Sequence, residues 1–351
     1  MSCEHPNGVA YTKDGNTKFM PHEEYLAFEN IKQLSDLRYH AMLKRNGFTK
    51  VVPVGCGTCK GCQLQKSKEW ANRICMELES YPEEECWFIT LTYDDEHINW
   101  AEGQKQEYMP GYGILGVEIE EQTLNKTEFS NFIKKLRAYW EYHYNVKGIR
   151  FFACGEYGGK TKRPHYHLIV FGMPMVCNDL EQWGASELGY KRLTSKTISE
   201  IWGKGFVDIG KVTWESAAYV ARYTLKKAYG KDAKKWESEH VKEREFIDMS
   251  RMPGIGRKYY EEHKEDMYKF DEAWIRKGLT GATVKIPAYF DRLFDVEDPE
   301  KLEAIKETRQ KVAEAKQAEA MKHTDLSIQE QREVNARALD KRTKKLKDNK
   351  I

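Results

Sequence analysis

At 351 residues, with 40% apolar, 12% aromatic and 32% charged side chains, the chain has a globular composition, long enough for one sizeable core with additions, and intrinsic disorder is excluded as its ground state. The formal charge of +2 hides a local division: residues 131–172 carry eight Lys or Arg against two acids, and residues 191–231 nine against three, so the middle of the chain suits a polyanion. No apolar stretch is long enough to span a bilayer and no basic-then-apolar leader opens the chain, which predicts a cytosolic protein whose eight cysteines serve as thiols or metal ligands before disulfides.

Residues 1–55 scatter Gly, Pro and polar side chains and predict little regular structure, up to "VVPVGCGTCKGC", where Cys56, Cys59 and Cys62 recur at every third position. With Cys3 they offer four thiolates, the donor set of a structural Zn²⁺ site, with His5 as a substitute fourth ligand. An iron–sulfur pattern and metal-free thiols are the alternatives. Cys75, Cys86, Cys154 and Cys177 read as buried thiols. From Gln65 onward, Trp70, Ile74, Leu78 and Tyr81 share one face of a predicted helix. "CWFITLTYDDEH" sets Trp87, Ile89, Leu91 and Tyr93 against Phe88, Thr90 and Thr92, the alternation of a buried strand. Residues 100–116 read as a loop. A helix capped by Thr127 then runs through Phe129, Phe132, Ile133, Leu136, Tyr139 and Trp140.

"IRFFACGEYGG" and "HYHLIVFG" predict two strands paired through "GGKTKRP". Residues two apart on a strand share a face, so His165 and His167 converge while Tyr166 points away. Neutral imidazoles ligate metals, and strand pairing would add Glu156 as a third ligand. Asp94, Asp95 and Glu96 are rival carboxylates. A His-x-His pair also occurs incidentally on strands, so it acquires meaning only beside a second constellation. After a variable region at 173–204 and the short strand "GFVDIGKV", that constellation is "TWESAAYVARYTLKKAYG", a helix capped by Thr213 and stopped by Gly230. It places Tyr219, Tyr223, Lys226 and Lys227 on one stripe, opposite Ala217, Ala221, Thr224, Leu225 and Ala228. A phenol titrates near pH 10, so a nucleophilic tyrosine needs nearby positive charge or a metal-polarised electrophile. The competing reading is that both rings pack a core. Beyond Asp295 the sequence predicts one extended helix with a basic tail. The implied division is 1–64, Cys-rich; 65–260, a core; and 261–351, a charged helical extension.

Taken in order, "FITLTYDDEH", Glu156 with "RPHYHLIVFG", and "AAYVARYTLKK" resemble the three motifs of the HUH endonucleases that initiate rolling-circle replication. The nearest group is the initiators of small single-stranded DNA phages of the gokushovirus-type microviruses, and "CGTCKGCQLQKSKEWANRI" and "SRMPGIGRKYY" extend the likeness. The resemblance implies an α+β fold: an antiparallel sheet flanked by helices, with the paired histidines on its central strand. It implies Mg²⁺ or Mn²⁺ held by His165, His167 and Glu156, with Tyr219 and Tyr223 attacking single-stranded origin DNA in turn. Each attack leaves a 5′-phosphotyrosine and a free 3′-hydroxyl, and the ends are later rejoined. Lys226 or Lys227 would stabilise the phosphate or the phenolate. Lys160, Lys162, Arg163 and Arg222 would track phosphates, and Tyr157 and Tyr166 would stack bases. The chain shows no Walker-type phosphate loop, so a host helicase and DNA polymerase are implied partners, and the bacterial cytoplasm the implied setting. The rivals are a non-catalytic zinc-containing nucleic-acid-binding protein and a hydrolytic metal-dependent phosphodiesterase.

Overall fold

The computed structural model describes residues 3–109, 113–159, 161–186, 189–222, 236–277 and 280–346. The chain forms two compact units, Met1–Lys66 with Gln310–Lys350, and Ser67–Arg309. Residues 261–309 therefore belong with the second unit, whereas the sequence groups them with the C-terminal extension.

The first unit is more regular than its sequence suggests. Strands β1 (Asn7–Thr12), β2 (Thr17–Met20) and β3 (Phe48–Val54) pair in the order β2-β1-β3, beside helices α1 (His22–Leu34) and α2 (Asp36–Arg45). The inward residues of β1 are Gly8 and Ala10, too small to mark a hydrophobic alternation, so the strand is invisible to pattern reading. A Cβ on Gly8 would meet the Tyr25 ring at 2.8 Å, so the small residue admits α1 to the sheet. Tyr25, Phe28, Tyr39, Leu43 and Val51 complete this core. Helix α3 (Lys60–Leu78) starts five residues before the predicted Gln65 and takes Cys62 into its first turn.

The second unit is built on a seven-stranded, fully antiparallel sheet. Its strands are β4 (Trp87–Tyr93), β7 (Arg150–Tyr157), β8 (Pro164–Phe171), β9 (Leu180–Ala185), β10 (Lys191–Ser195), β11 (Gly205–Lys211) and β12 (Phe246–Met249), in the order β12-β7-β8-β4-β11-β10-β9. A separate hairpin, β5 (Trp100–Met109) with β6 (Gly113–Gln122), replaces the loop predicted at 100–116. Gly103, Gly111, Gly113 and Gly116 make that stretch read as loop, and the one strand-like alternation, Val117, Glu118, Ile119 and Glu120, lies just beyond it. The region left as variable, 173–204, holds β9, β10 and α5 (Lys196–Trp202), the last capped by Ser195 and ended by Gly203 at φ +60°.

Helices cover both faces of the sheet. Trp87, Ile89, Leu91, Tyr93, Tyr166 and Leu168 pack against α5 and α4 (Lys126–Tyr144), whose Phe129, Phe132, Leu136 and Trp140 are buried. Each such side chain contributes about 1.5–3 kcal/mol by leaving water. Helix α4 is capped by Asn125, which accepts from the Glu128 N–H at 3.1 Å, two residues before the predicted Thr127. On the other face, Phe152, Cys154, Ile169 and Phe171 meet α3 and α6 (Trp214–Arg222), with Ala217, Val220 and Ala221 in contact. Thr213 caps α6 as predicted, exchanging hydrogen bonds with Ser216 in a reciprocal box. The motif "SRMPGIGRKYY" is a structural clasp: Glu77 bonds Arg150 and the Gly256 N–H at 2.5 Å each, while Arg73 donates to the Ile255 carbonyl. The fold is α+β, an antiparallel sheet flanked by helices, as expected.

The single helix predicted beyond Asp295 is instead Ala288–Glu297, Pro299–Met321 and Ile328–Leu346. Pro299 restarts the chain at a first helical position, and Ser327 forms a capping box with Glu330, so both breaks have local causes. No helix among the described residues is long and apolar enough to cross a membrane.

Candidate functional site

The register decides which side chains meet. Across β7, β8 and β4, Glu156 lies opposite His165 and His165 opposite Thr92, while Cys154 lies opposite His167 and His167 opposite Thr90. Strand β8 is an interior strand one place from the middle strand β4, so the implied central position is off by one. Both rings face the side covered by α6, with centroids 6.3 Å apart. His165 Nδ1 is 3.0 Å from Thr92 Oγ1 and His167 Nδ1 is 2.9 Å from Thr90 Oγ1, so each ring is oriented by a threonine on the next strand. Phe88 stacks on His167 at 5.8 Å. Burial, reinforced by the neighbouring His167, pushes His165 down to about 4, so its imidazole is neutral at physiological pH.

Glu156, buried at the end of β7, has one oxygen shared by two partners. His167 Nε2 lies 2.7 Å from Oε1, and the Tyr219 hydroxyl donates to the same atom at 3.1 Å. Tyr219 stands edge-on to His167 at 5.2 Å, and the Arg222 guanidinium lies 5.5 Å from its ring centre. Four predicted residues, His165, His167, Glu156 and Tyr219, therefore meet on one sheet face. By donor type the set suits a divalent cation, two imidazoles and a carboxylate with both Nδ1 atoms engaged by hydroxyls, but its ligand atoms are not gathered within 4.8 Å of one another as those of the four cysteines are, and His167 Nε2 is held by Glu156. A cation on His167 would take the place of the Nε2 proton now directed at Glu156. Gly158 leaves room for the other ring, since a Cβ there would come within 2.9 Å of His165 Nε2. Tyr223, Lys226, Lys227 and Lys160 lie outside the described residues.

Of the rival carboxylates, Glu96 is exposed and the other two are otherwise engaged. Asp94 binds His97 at 2.7 Å, and Asp95 pairs with Arg163, which also donates to the Tyr93 carbonyl. Lys162 takes the left-handed conformation at φ +58° in the β7–β8 turn. Of the two tyrosines expected to stack bases, Tyr166 has no ring face to offer. Tyr166 is fully buried, its hydroxyl bonded to Tyr93 and the Asn125 backbone, and Tyr157 donates to the Glu243 carbonyl at 2.6 Å. The physical reason for Tyr166 is the second covered face: alternation points it away from the histidines, straight into the α4 core.

In the first unit, the Sγ atoms of Cys3, Cys56, Cys59 and Cys62 all lie within 4.8 Å of one another, the one such group of three or more His, Cys, Asp or Glu ligands among the described residues. The Cys59–Cys3 separation, 3.8 Å, matches the edge of a tetrahedron with bonds of about 2.3 Å. Backbone N–H groups of Cys56, Cys59 and Cys62 point at the sulfurs of Cys3, Cys56 and Cys59. Burial raises the Cys56 thiol, but the Cys59 and Thr58 donors outweigh it and pull it down to about 6. Gly57, at φ +78°, supplies the left-handed turn that the loop needs. The four thiols can hold a metal ion such as Zn²⁺. His5 is not part of the group and packs against His22 at 5.2 Å. Of the thiols predicted buried, Cys75, Cys86 and Cys154 are, and Cys177 is only partly so.

A family model for replication-associated proteins of the ORF2 type matches residues 86–228, the segment from β4 through α6 that carries the histidine site. Replication-associated protein ORF2 of Spiroplasma virus 4 is 38% identical over 95% of both chains. Replication-associated protein VP4 of Bdellovibrio phage phiMH2K is 30% identical over 70% of this chain and 69% of its own. This chain belongs to the microvirus replication-associated proteins. A third member of the family, ORF4 of Chlamydia phage 1, is 33% identical over 57% of this chain and 46% of its own. No solved structure matches the chain.

For this member of the family, sequence reasoning missed Thr90 and Thr92. The signal was present: both sit on the β4 face opposite Ile89 and Leu91, and antiparallel pairing with β8 puts that face beside the histidines.

Proposed function

We propose that the protein initiates rolling-circle replication by nicking a single-stranded phage origin with Tyr219. The observation that carries this reading is the shared oxygen: Glu156 Oε1 receives the Tyr219 hydroxyl at 3.1 Å and faces His167 Nε2 at 2.7 Å. A nucleophile and a cation-type donor set thus border the same point, the arrangement that attack on a polarised phosphate requires. Glu156 orients the phenol through its hydrogen bond. Tyr219 Oη attacks phosphorus, the P–O3′ bond breaks, the phenolic proton is lost, and the departing 3′ oxygen gains a proton to become the primer hydroxyl. The 5′ phosphate stays on the tyrosine. His165, His167 and Glu156 would hold Mg²⁺ or Mn²⁺, which supplies charge to the non-bridging phosphate oxygens.

Tyr223 is the second nucleophile of this reading, cleaving the regenerated origin so that the released 3′-hydroxyl displaces the first phosphotyrosine and closes a circle. Lys226 and Lys227 stabilise the phosphate or phenolate, and Lys160, Lys162, Arg163 and Arg222 track the backbone. Residues 1–64 act as a metal-stapled module and 65–260 as the nicking core, with 261–309 part of the compact unit of that core and 310–350 part of the unit of the module. A host helicase and DNA polymerase in the bacterial cytoplasm complete the cycle.

The test is to incubate the protein with Mn²⁺ and phage single strands and to run a denaturing gel. Wild type should give a protein–DNA adduct, and Tyr219→Phe with Tyr223→Phe should give none. A full-strength adduct in that variant overturns the tyrosine assignment, and cleavage without any adduct points to water as the nucleophile.

A further inference from the structure

The row that contains Glu156, His165 and Thr92 does not stop at β4. Thr92 pairs with Phe206 on β11, so Phe206 lies on the same sheet face as the histidines, two strand spacings or about 10 Å from His165. Phe206 is 68% exposed, although Val207 and Ile209, its neighbours on the opposite face, are buried. On the next two strands, but three to four residues off the Phe206 row because Leu193 on β10 faces Ile209, the Arg192 guanidinium lies 4.1 Å from the Trp183 ring centre on β9. Both are tied to Asp208, Trp183 Nε1 at 3.2 Å and Arg192 Nη2 at 2.7 Å. These contacts fix the Trp183 ring in place while 54% of the residue stays exposed. Arg192 offsets the one acid tied to the rings, in a stretch, 191–231, with nine basic residues against three acidic.

Two exposed rings that lead away from a candidate phosphate site, Phe206 within the basic segment and Trp183 held by Arg192 and Asp208, have the chemistry of a single-strand stacking platform. Every base presents a π-face, and the rings stack bases without reading them. We propose that Phe206 and Trp183, the latter braced by Arg192, stack the bases that flank the phosphate presented to Tyr219, so that single-stranded DNA crosses β4, β11, β10 and β9 on the histidine face. The proposal rests on the nicking reading for which phosphate is presented, but strand binding can be measured without any cleavage.

The probe is a fluorescein-labelled oligothymidylate of about 15 nucleotides without added divalent cation, followed by anisotropy. Phe206→Ala and Trp183→Ala should each weaken binding about fivefold or more, and Trp183→Phe should keep most of the affinity. Melting temperatures near wild type are expected, because both rings are mainly exposed; should either alanine variant fold poorly, photocross-linking of an iodouracil oligonucleotide to wild type replaces it, with cross-links expected on the peptides that carry Phe206 or Trp183. Unchanged affinity in both alanine variants, or cross-links confined to other segments, overturns the platform. So does concentration-dependent dimerisation that Phe206→Ala abolishes, which would assign this face to a second copy. Loss of the covalent adduct with strand binding intact counts against the nicking reading alone.

Discussion

The two donor clusters of this protein differ in how they are assembled. The four cysteines converge on one point: three come from a seven-residue stretch, and all four sulfurs lie within 4.8 Å. The His165, His167 and Glu156 set is spread over two strands, oriented by hydroxyls on a third and bordered by a tyrosine from a helix. A closed thiolate set suits structure, since it leaves no position for substrate; a set with a nucleophile at its edge suits chemistry. The contrast teaches that three ligands from one short stretch can be spelled in sequence, whereas a set made across a sheet depends on register.

The sharpest break of the comparison is removal of the thiolates. Cys56→Ser with Cys59→Ser should abolish stoichiometric zinc in elemental analysis and raise hydrogen exchange across β1–β3, because structural zinc binding is worth about 10–16 kcal/mol in small zinc domains. Unchanged exchange there would remove the structural role. Next, His167→Ala should slow Mn²⁺-dependent adduct formation by about 10²–10³, the usual cost of one charge-stabilising group, while zinc content stays at the wild-type level. Thr90→Val keeps the shape but loses the hydroxyl at His167 Nδ1, and should weaken Mn²⁺ dependence by about 10–100-fold; a wild-type Mn²⁺ titration would mean that the ring needs no such brace.

The smallest effect is on stability. His165 is lowered from 6.5 to about 4, so between these values the unfolded chain binds a proton that the folded chain refuses. Metal-free stability is therefore greatest above about pH 6.5 and falls as the pH drops toward 4. Urea midpoints should show this slope, and His165→Asn should flatten it.

Much of the second unit was legible because its residues obey the period-two rule: Ile89, Leu91 and Tyr93 inward on one face, Thr90 and Thr92 on the other. The first unit was not, because Gly8 and Ala10 are its inward strand residues, and the β5–β6 ribbon was missed because the Gly and Tyr content of 100–116 reads as loop. The fate of Tyr166 and Tyr157 was likewise hidden, since alternation gives a direction but not what lies there. For Tyr166 it was the core of Phe129 and Trp202, which leaves no surface for a base.

By itself the sequence determined that His165 and His167 share a face and that Cys56, Cys59 and Cys62 stand at ligand spacing, because both follow from local geometry. It also carried Tyr219 on a helix whose small residues, Ala217 and Ala221, let it sit close to the sheet. Only the tertiary structure decided that Thr90 and Thr92 hold the rings, that Glu156 rather than Asp94 meets His167, and that Cys3 rather than His5 joins the thiols. Each of these is a contact between segments distant in the chain, set by strand register and packing, which no local period encodes.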